Sequence, residues 1–177
     1  MDRKYKFNWN LIGDLTVGRP NLGPTARVEA YRMMQFAFRD QLESILGTEK
    51  TDEIFYAAGK LAGSEFYDNT CAGVFTFSAL FKKLQTLLRD LGMCIIRVEE
   101  ASEKEGKFIL TMSEDLSCSG LPELDHEICI FDEGFIAGIL EKFTRKSFRV
   151  KEVDCWCTGD RTCRFEAEVV DCATAYV

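Results

Sequence analysis

Three of the eight cysteines fall within nine residues, in Glu152-Val-Asp-Cys-Trp-Cys-Thr-Gly-Asp-Arg-Thr-Cys-Arg-Phe165. Thiols this close can hold a metal, form a disulfide, or stay free as small buried apolar groups. Zinc takes four ligands in a tetrahedron, drawn from Cys, His and carboxylates. One turn supplies two or three of them, so a partner must come from elsewhere. The nearest thiol upstream is Cys129, in Glu127-Ile-Cys-Ile-Phe-Asp-Glu-Gly134. His126, three residues before it, is a rival ligand with a plainer reading as a solvated loop histidine. The spacing is not a CxxC…CxxC pair, so an iron–sulfur or redox use of the same thiols stays open as the alternative. A Cys155–Cys163 bridge would need an oxidising compartment, and nothing in the sequence points to one.

The elements around these thiols follow from periodicity. Arg149 to Asp154 and Arg164 to Val169 alternate apolar and charged residues, as strands with one buried face do. Thr158-Gly-Asp160 between them is turn chemistry. The reading is a hairpin with thiols at its mouth. On a regular strand Cys155 and Cys157 share a face, whereas Glu152 and Cys155 do not. Parity therefore favours Cys157 as the companion of Cys155.

Glu152-x-x-Cys155, followed by Cys163 after a Gly-Asp turn and then Arg-Phe, resembles the terminal motif of the 4-vinyl reductase domain family. Phe55-Tyr-Ala-Ala-Gly-Lys-Leu-Ala-Gly63 is similar to that family's glycine-spaced early helix. The likeness runs over residues 25 to 170. The family includes archaeal hydrocarbon-binding proteins and the sensory domains of bacterial activators that respond to aromatics. Those sensory domains carry a structural zinc on three cysteines and a glutamate. The resemblance implies Cys129, Glu152, Cys155 and Cys163 as zinc ligands, with Cys157 and His126 as rivals. Placing Glu152 there requires a bulge near Val153 and Asp154. It also implies a homodimer, and a fold shared with haem-based nitric-oxide sensors and subunits of a Golgi tethering particle. No ATPase or DNA-binding region accompanies the likeness, so promoter activation is not implied.

Residues 1–24 hold two of the three prolines and read as an irregular arm with one short strand. Residues 25–172 read as one ligand-binding domain, and 173–177 as a tail. Arg27 to Leu46 repeats apolar residues at threes and fours and stops at Gly47, a helix with a wide band that includes Met33, Met34, Phe36 and Phe38. A second helix opens at Thr51 as N-cap and carries Gly59 and Gly63 on one face. Two such glycines predict close approach of another backbone, since each costs about 1 kcal/mol in a helix. A third helix spans Thr76 to Leu91. Met93 to Ala101 and Lys107 to Ser113 form a hairpin. Ser117 to His126 is a loop containing Cys118. A helix capped by Asp132 runs from Phe131 to Lys146, and the thiol hairpin follows. The order is ααα-ββ-α-ββ, an α+β class with a four-stranded antiparallel sheet against helices.

The chain of 177 residues is 46% hydrophobic with a net charge of −7. That suits one domain with a sizeable core, and argues against a general binder of nucleic acid or anionic membrane. No apolar run of 18 residues spans a membrane, and the amino terminus lacks a signal-peptide core, so the cytoplasm is expected. There is no GxSxG elbow, phosphate loop, HExxH or nicotinamide motif, and no enzyme is expected. The expected function is a zinc-stabilised module for a small hydrophobic or aromatic ligand. Phe77, Leu80, Phe81 and Leu84 of the third helix, facing Phe108 and Leu110, are expected to line its pocket.

Overall fold

In the computed structural model, which describes residues 3–170, a four-stranded antiparallel sheet has the order β1-β2-β4-β3. The elements run α1 (Leu15–Gly18), α2 (Val28–Leu46), α3 (Thr48–Phe66), α4 (Phe77–Asp90), β1 (Ile95–Ser102), β2 (Lys107–Ser113), α5 (Ile130–Thr144), β3 (Phe148–Asp154) and β4 (Cys163–Val169). The expected α+β class and the order of helices and strands hold. The arm differs: Trp9–Ile12 forms a turn of 3-10 helix and α1 follows, with no strand among the described residues. The tail at 173–177 lies outside them.

The helix boundaries show which local signal won. Gly47, with φ of 79°, ends α2, and α3 starts at once. Thr51 therefore sits buried in the first turn of α3 instead of capping it. Thr76 caps α4 as its side chain predicts, by accepting from the Ala79 N–H at 3.2 Å. Cys129 occupies the cap position of α5, so Asp132 is a buried first-turn residue and not the cap. The reason is packing: α5 is covered from Ile130 to Leu140. A helix covered on every side starts where its neighbours allow.

Those neighbours are α3 on one side and the sheet on the other. Gly59 and Gly63 of α3 meet Gly134 and Gly138 of α5 backbone to backbone. A Cβ at Gly59 would stand 2.0 Å from the Phe131 carbonyl oxygen, and one at Gly134 2.0 Å from that of Tyr56. No side chain fits there, and the glycine spacing in α3 has the close-packing role the sequence suggested. Across α5, the inward residues Phe108, Leu110, Phe148, Val150, Phe165 and Ala167 complete the core with Leu80, Leu84 and Leu88 of α4. The layers are thus sheet, then α4 and α5, then α3, with α2 outermost.

Candidate functional site

The thiols gather at the amino end of α5. Cys118, Cys129, Cys155 and Cys163 are all buried, and their sulfur atoms lie within 4.8 Å of one another. Individual Sγ–Sγ separations are 3.2 Å for Cys118–Cys163, 3.9 Å for Cys129–Cys163 and 4.0 Å for Cys129–Cys155. A tetrahedron with zinc–sulfur bonds of about 2.3 Å has edges of about 3.8 Å. A disulfide needs about 2.05 Å. The donor set fits a tetrahedral thiolate metal, and the seven described cysteines are free.

Each thiol is placed by a different local device. Asp115 turns the chain after β2: its Oδ1 accepts from the Ser117 and Cys118 N–H groups at 2.7 and 3.2 Å. Cys129 is set by the start of α5. Cys155 closes β3, where a short 3-10 turn (Trp156–Thr158) and Gly159, at φ of 98°, lead into Cys163 at the head of β4. Thr158 locks this turn by donating to the Cys155 carbonyl at 2.9 Å and accepting from its N–H at 3.1 Å.

Three of the expected ligands, Cys129, Cys155 and Cys163, are together. Cys118 stands with them, a residue that sequence reasoning places in a loop without a ligand role. Its only signal is a fourth cysteine near a turn, 11 residues before Cys129. Glu152 is beside the group, not one of the four. The bulge its placement requires is there, as the β3–β4 register shifts between Glu152 and Asp154. That shift turns Glu152 and Cys155 inward together. Glu152 is 1% exposed; its Oε2 accepts from the Cys129 N–H at 3.1 Å, and its Oε1 has no partner. Cys157 is buried nearby, its carbonyl accepting from Leu124. His126 is exposed and bonded through Nδ1 to the Leu124 carbonyl at 2.6 Å.

The electrostatics are those of crowded acids. Hydrogen bonds from Cys118, then Cys129 and Cys163, hold the Cys155 thiol well below its ordinary range. Cys129 is driven up by the same neighbours. One thiolate surrounded by protonated thiols is what the cluster tolerates without a cation. Burial pushes the Glu152 carboxyl up to about 8 and the Asp115 carboxyl up to about 6. Burial also raises Asp132.

The six residues expected to line a pocket are placed as the sequence predicts but leave little room. Leu80, Phe81, Leu84, Phe108 and Leu110 are buried. Phe77 stacks on Phe108 with ring centroids 4.6 Å apart. The space enclosed by Phe81, Leu84, Leu110 and α5 is about 10 Å³. A larger hollow of about 220 Å³ borders Phe77 and Phe108 at the sheet's far end. The roomiest apolar space lies elsewhere: a groove of about 630 Å³ between the arm, α2 and α3, floored by Phe131 and Phe135 of α5. Trp9 fixes the arm along it. Its N–H donates to Glu65 at 2.8 Å, and its ring meets Phe66 edge-on at 6.1 Å. Gln35 and Tyr31 bring polar atoms to this wall, and Gln35 Oε1 is buried without a partner.

Residues 108–169, from the second strand to the end of the sheet, match the model of the vinyl-4-reductase domain. MJ1642 of Methanocaldococcus jannaschii is 27% identical over 150 residues, covering 85% of this chain and 82% of its own. The phenol-responsive sensory domain of the transcription activator PoxR, crystallised with phenol, superposes with a TM-score of 0.60 at 16% identity, over 81% of this chain and 75% of that one. A trafficking protein particle complex subunit 3 from Naegleria fowleri, covalently bound to palmitic acid, superposes with a TM-score of 0.62 at 14% identity, over 81% and 95%. The shared fold is the one the resemblance implied.

Proposed function

We propose that this chain, whose residues 108–169 are a vinyl-4-reductase domain, is a non-enzymatic binding module for a small hydrophobic or aromatic ligand. The observation that carries this reading is the apolar groove of about 630 Å³. Apolar walls with one or two convergent polar groups are what small-molecule sites have. Gln35 Oε1, buried and unpartnered, is an acceptor for a ligand hydroxyl or amine. Phenol and palmitic acid, held by the two solved proteins of this fold, are likewise apolar bodies with one polar end. The hollow beside Phe77 and Phe108 is the second reading, favoured by its place next to the expected pocket.

The proposed cofactor is one structural zinc on Cys118, Cys129, Cys155 and Cys163, with Glu152 bonded to the Cys129 backbone outside the ligand set. Four thiolates leave no open position, so the metal ties the 115–120 loop, α5 and the β3–β4 hairpin together without catalysing anything. A reducing cytoplasm keeps such thiols available. The proposed assembly is a homodimer through α2.

The test is Nile red fluorescence with variants that fill one space each. Ala58 lines the groove and is exposed, so Ala58→Trp adds bulk there without disturbing the core. Wild type is expected to bind, and Ala58→Trp to bind at least tenfold more weakly with its metal retained. Unchanged binding in Ala58→Trp, with loss in a folded Thr144→Trp protein, would move the site to the Phe77 hollow, which Thr144 borders. A wild type that binds no apolar probe would sink the ligand reading.

A further inference from the structure

We propose that a second divalent cation binds beside the tetrathiolate, between the carboxylates of Asp115 and Asp132, with the Cys129 sulfur shared between the two ions. Ligand atoms of Asp115, Cys129 and Asp132 lie within 4.8 Å of one another, and all three residues are buried. Asp132 is 3% exposed, and its Oδ2 has no hydrogen-bond partner. A carboxylate oxygen buried without a partner is among the costlier things a fold can contain. Here it lies within reach of a second carboxylate and a thiol, the pattern a cation would relieve.

The surroundings supply no other relief. Three buried carboxyls, Asp115, Asp132 and Glu152, crowd four thiols, and none of the three forms an ion pair among the described residues. The nearest guanidinium, Arg32, is spent on backbone: it donates to the carbonyls of Leu116 and Ser119 at 2.8 Å each, and to that of Asp115 at 3.4 Å. One zinc on four thiolates still leaves two negative charges, before any aspartate ionises. A second divalent ion held by two carboxylates and a bridging thiolate offsets both aspartates. The mixed donor set selects the metal: a thiolate disfavours magnesium and calcium, and two carboxylates with one sulfur suit zinc, or iron and cobalt in its place. This inference rests on the tetrathiolate reading above, because Cys129 belongs to both sites.

The local architecture is what a built site requires. Asp115 is oriented by the Ser117 and Cys118 N–H groups through Oδ1. Asp132 is fixed in the first turn of α5, and Cys129 stands three residues before it on the same face. The three ligands thus come from one loop and one helix start, with no long flexible side chain among them.

The experiment uses the full chain stripped of metal under reducing conditions and titrated with Co²⁺, followed by absorbance and by metal analysis after gel filtration. Wild type is expected to retain two equivalents per chain. The first gives the intense thiolate-to-cobalt band of a four-sulfur site. The second adds weaker visible bands of a site richer in oxygen. Asp132→Asn and Asp115→Asn, which keep shape and an acceptor oxygen, are each expected to stop at one equivalent with the first band unchanged. A wild type that forms the intense band but saturates at one equivalent overturns this inference and leaves the tetrathiolate standing. So does a folded Asp132→Asn or Asp115→Asn protein that still takes two. Absence of the intense band at any loading overturns both. Should neither variant fold, the wild-type stoichiometry decides.

Discussion

The two long helix pairs of this protein are held in opposite ways. The α3–α5 seam is backbone against backbone, with four glycines where any Cβ would collide with a carbonyl at 2.0 to 2.2 Å. The α2–α3 side has no such contact. Not one of the 19 residues of α2 is buried. Its attachment is largely polar: Arg32 grips the 115–120 loop, and Arg39 reaches Glu43 at 2.8 Å and Asp52 at 2.5 Å. Between α2 and α3 the groove stays open. The difference separates structure from adaptability: the seam tolerates one geometry, while α2 can shift to suit an occupant without opening the core.

The largest effect should come from breaking the seam. Gly134→Ala places a methyl 2.0 Å from the Tyr56 carbonyl, so the helices must part or the chain must not fold. A loss above about 4 kcal/mol is expected, in the range reserved for severe overpacking of a core. Gly18, with open space around a Cβ, is the control, and Gly18→Ala should be neutral within about 0.5 kcal/mol. Urea denaturation of the two variants checks this, and equal midpoints would refute the contrast.

The thiol end behaves like the seam once metal is bound. Cys118→Ser and Cys163→Ser should each lose zinc and stability together, because the binding energy of a structural zinc is folding energy. Cys157→Ser and Glu152→Gln should keep one zinc per chain. Zinc retained in Cys118→Ser but lost in Glu152→Gln would return the fourth place to the glutamate. Metal analysis of the purified variants decides it.

How much of this is legible in the sequence depends on how local the signal is. Periodicity places α2, α4 and all four strands, since side-chain period and burial go together. The paired glycines of α3 announce a close partner, though not that the partner is α5 with glycines of its own. The starts of α3 and α5 escape sequence reasoning because Thr51 and Asp132 look like caps, and tertiary burial overrides that preference. Cys118 escapes it because the link to Cys163 spans 45 residues and is made by a loop, which leaves no periodic trace. The groove is hidden for a related reason. The stripe of α4 reads as a pocket wall, but Phe135, Ile136 and Ile139 of α5 fill the space against it.

A subtler contrast lies in pH. The folded-state values of Asp115 and Glu152 are raised, to about 6 and about 8, above those of an unfolded chain. Their contribution is fully present below about pH 4 and is lost as pH climbs through 6 and then 8. Metal-free protein should therefore lose stability between about pH 5 and pH 8. Zinc binding displaces thiol protons, so the metal's contribution should grow over the same interval. Urea midpoints at about pH 5 and pH 8, with and without zinc, should thus move in opposite directions. Glu152→Gln should flatten the upper part of the metal-free trend. A metal-free midpoint that rises with pH would contradict the burial of these carboxyls.

The smallest effect on folding should come from the outer face of α2, and it tests what covers that face. Met34, Phe38 and Ile45 lie along one stripe and are 57%, 64% and 74% exposed. A stripe of this kind, on a helix already anchored by its arginines, favours a second copy packed about a twofold axis. Ile45 stands outside the groove, so Ile45→Glu leaves the proposed ligand walls intact. In a single chain that substitution removes little burial and should alter the unfolding free energy at high dilution by less than about 0.5 kcal/mol. In a twofold dimer it brings two carboxylates to one apolar surface, where neither finds a partner. Light scattering at micromolar concentration should then give twice the chain mass for wild type and the single-chain mass for Ile45→Glu. The melting temperature should depend on concentration in the first and not in the second. A wild type that scatters as a single chain would leave α2 as a groove wall alone, with its exposed stripe free for a ligand to draw inward.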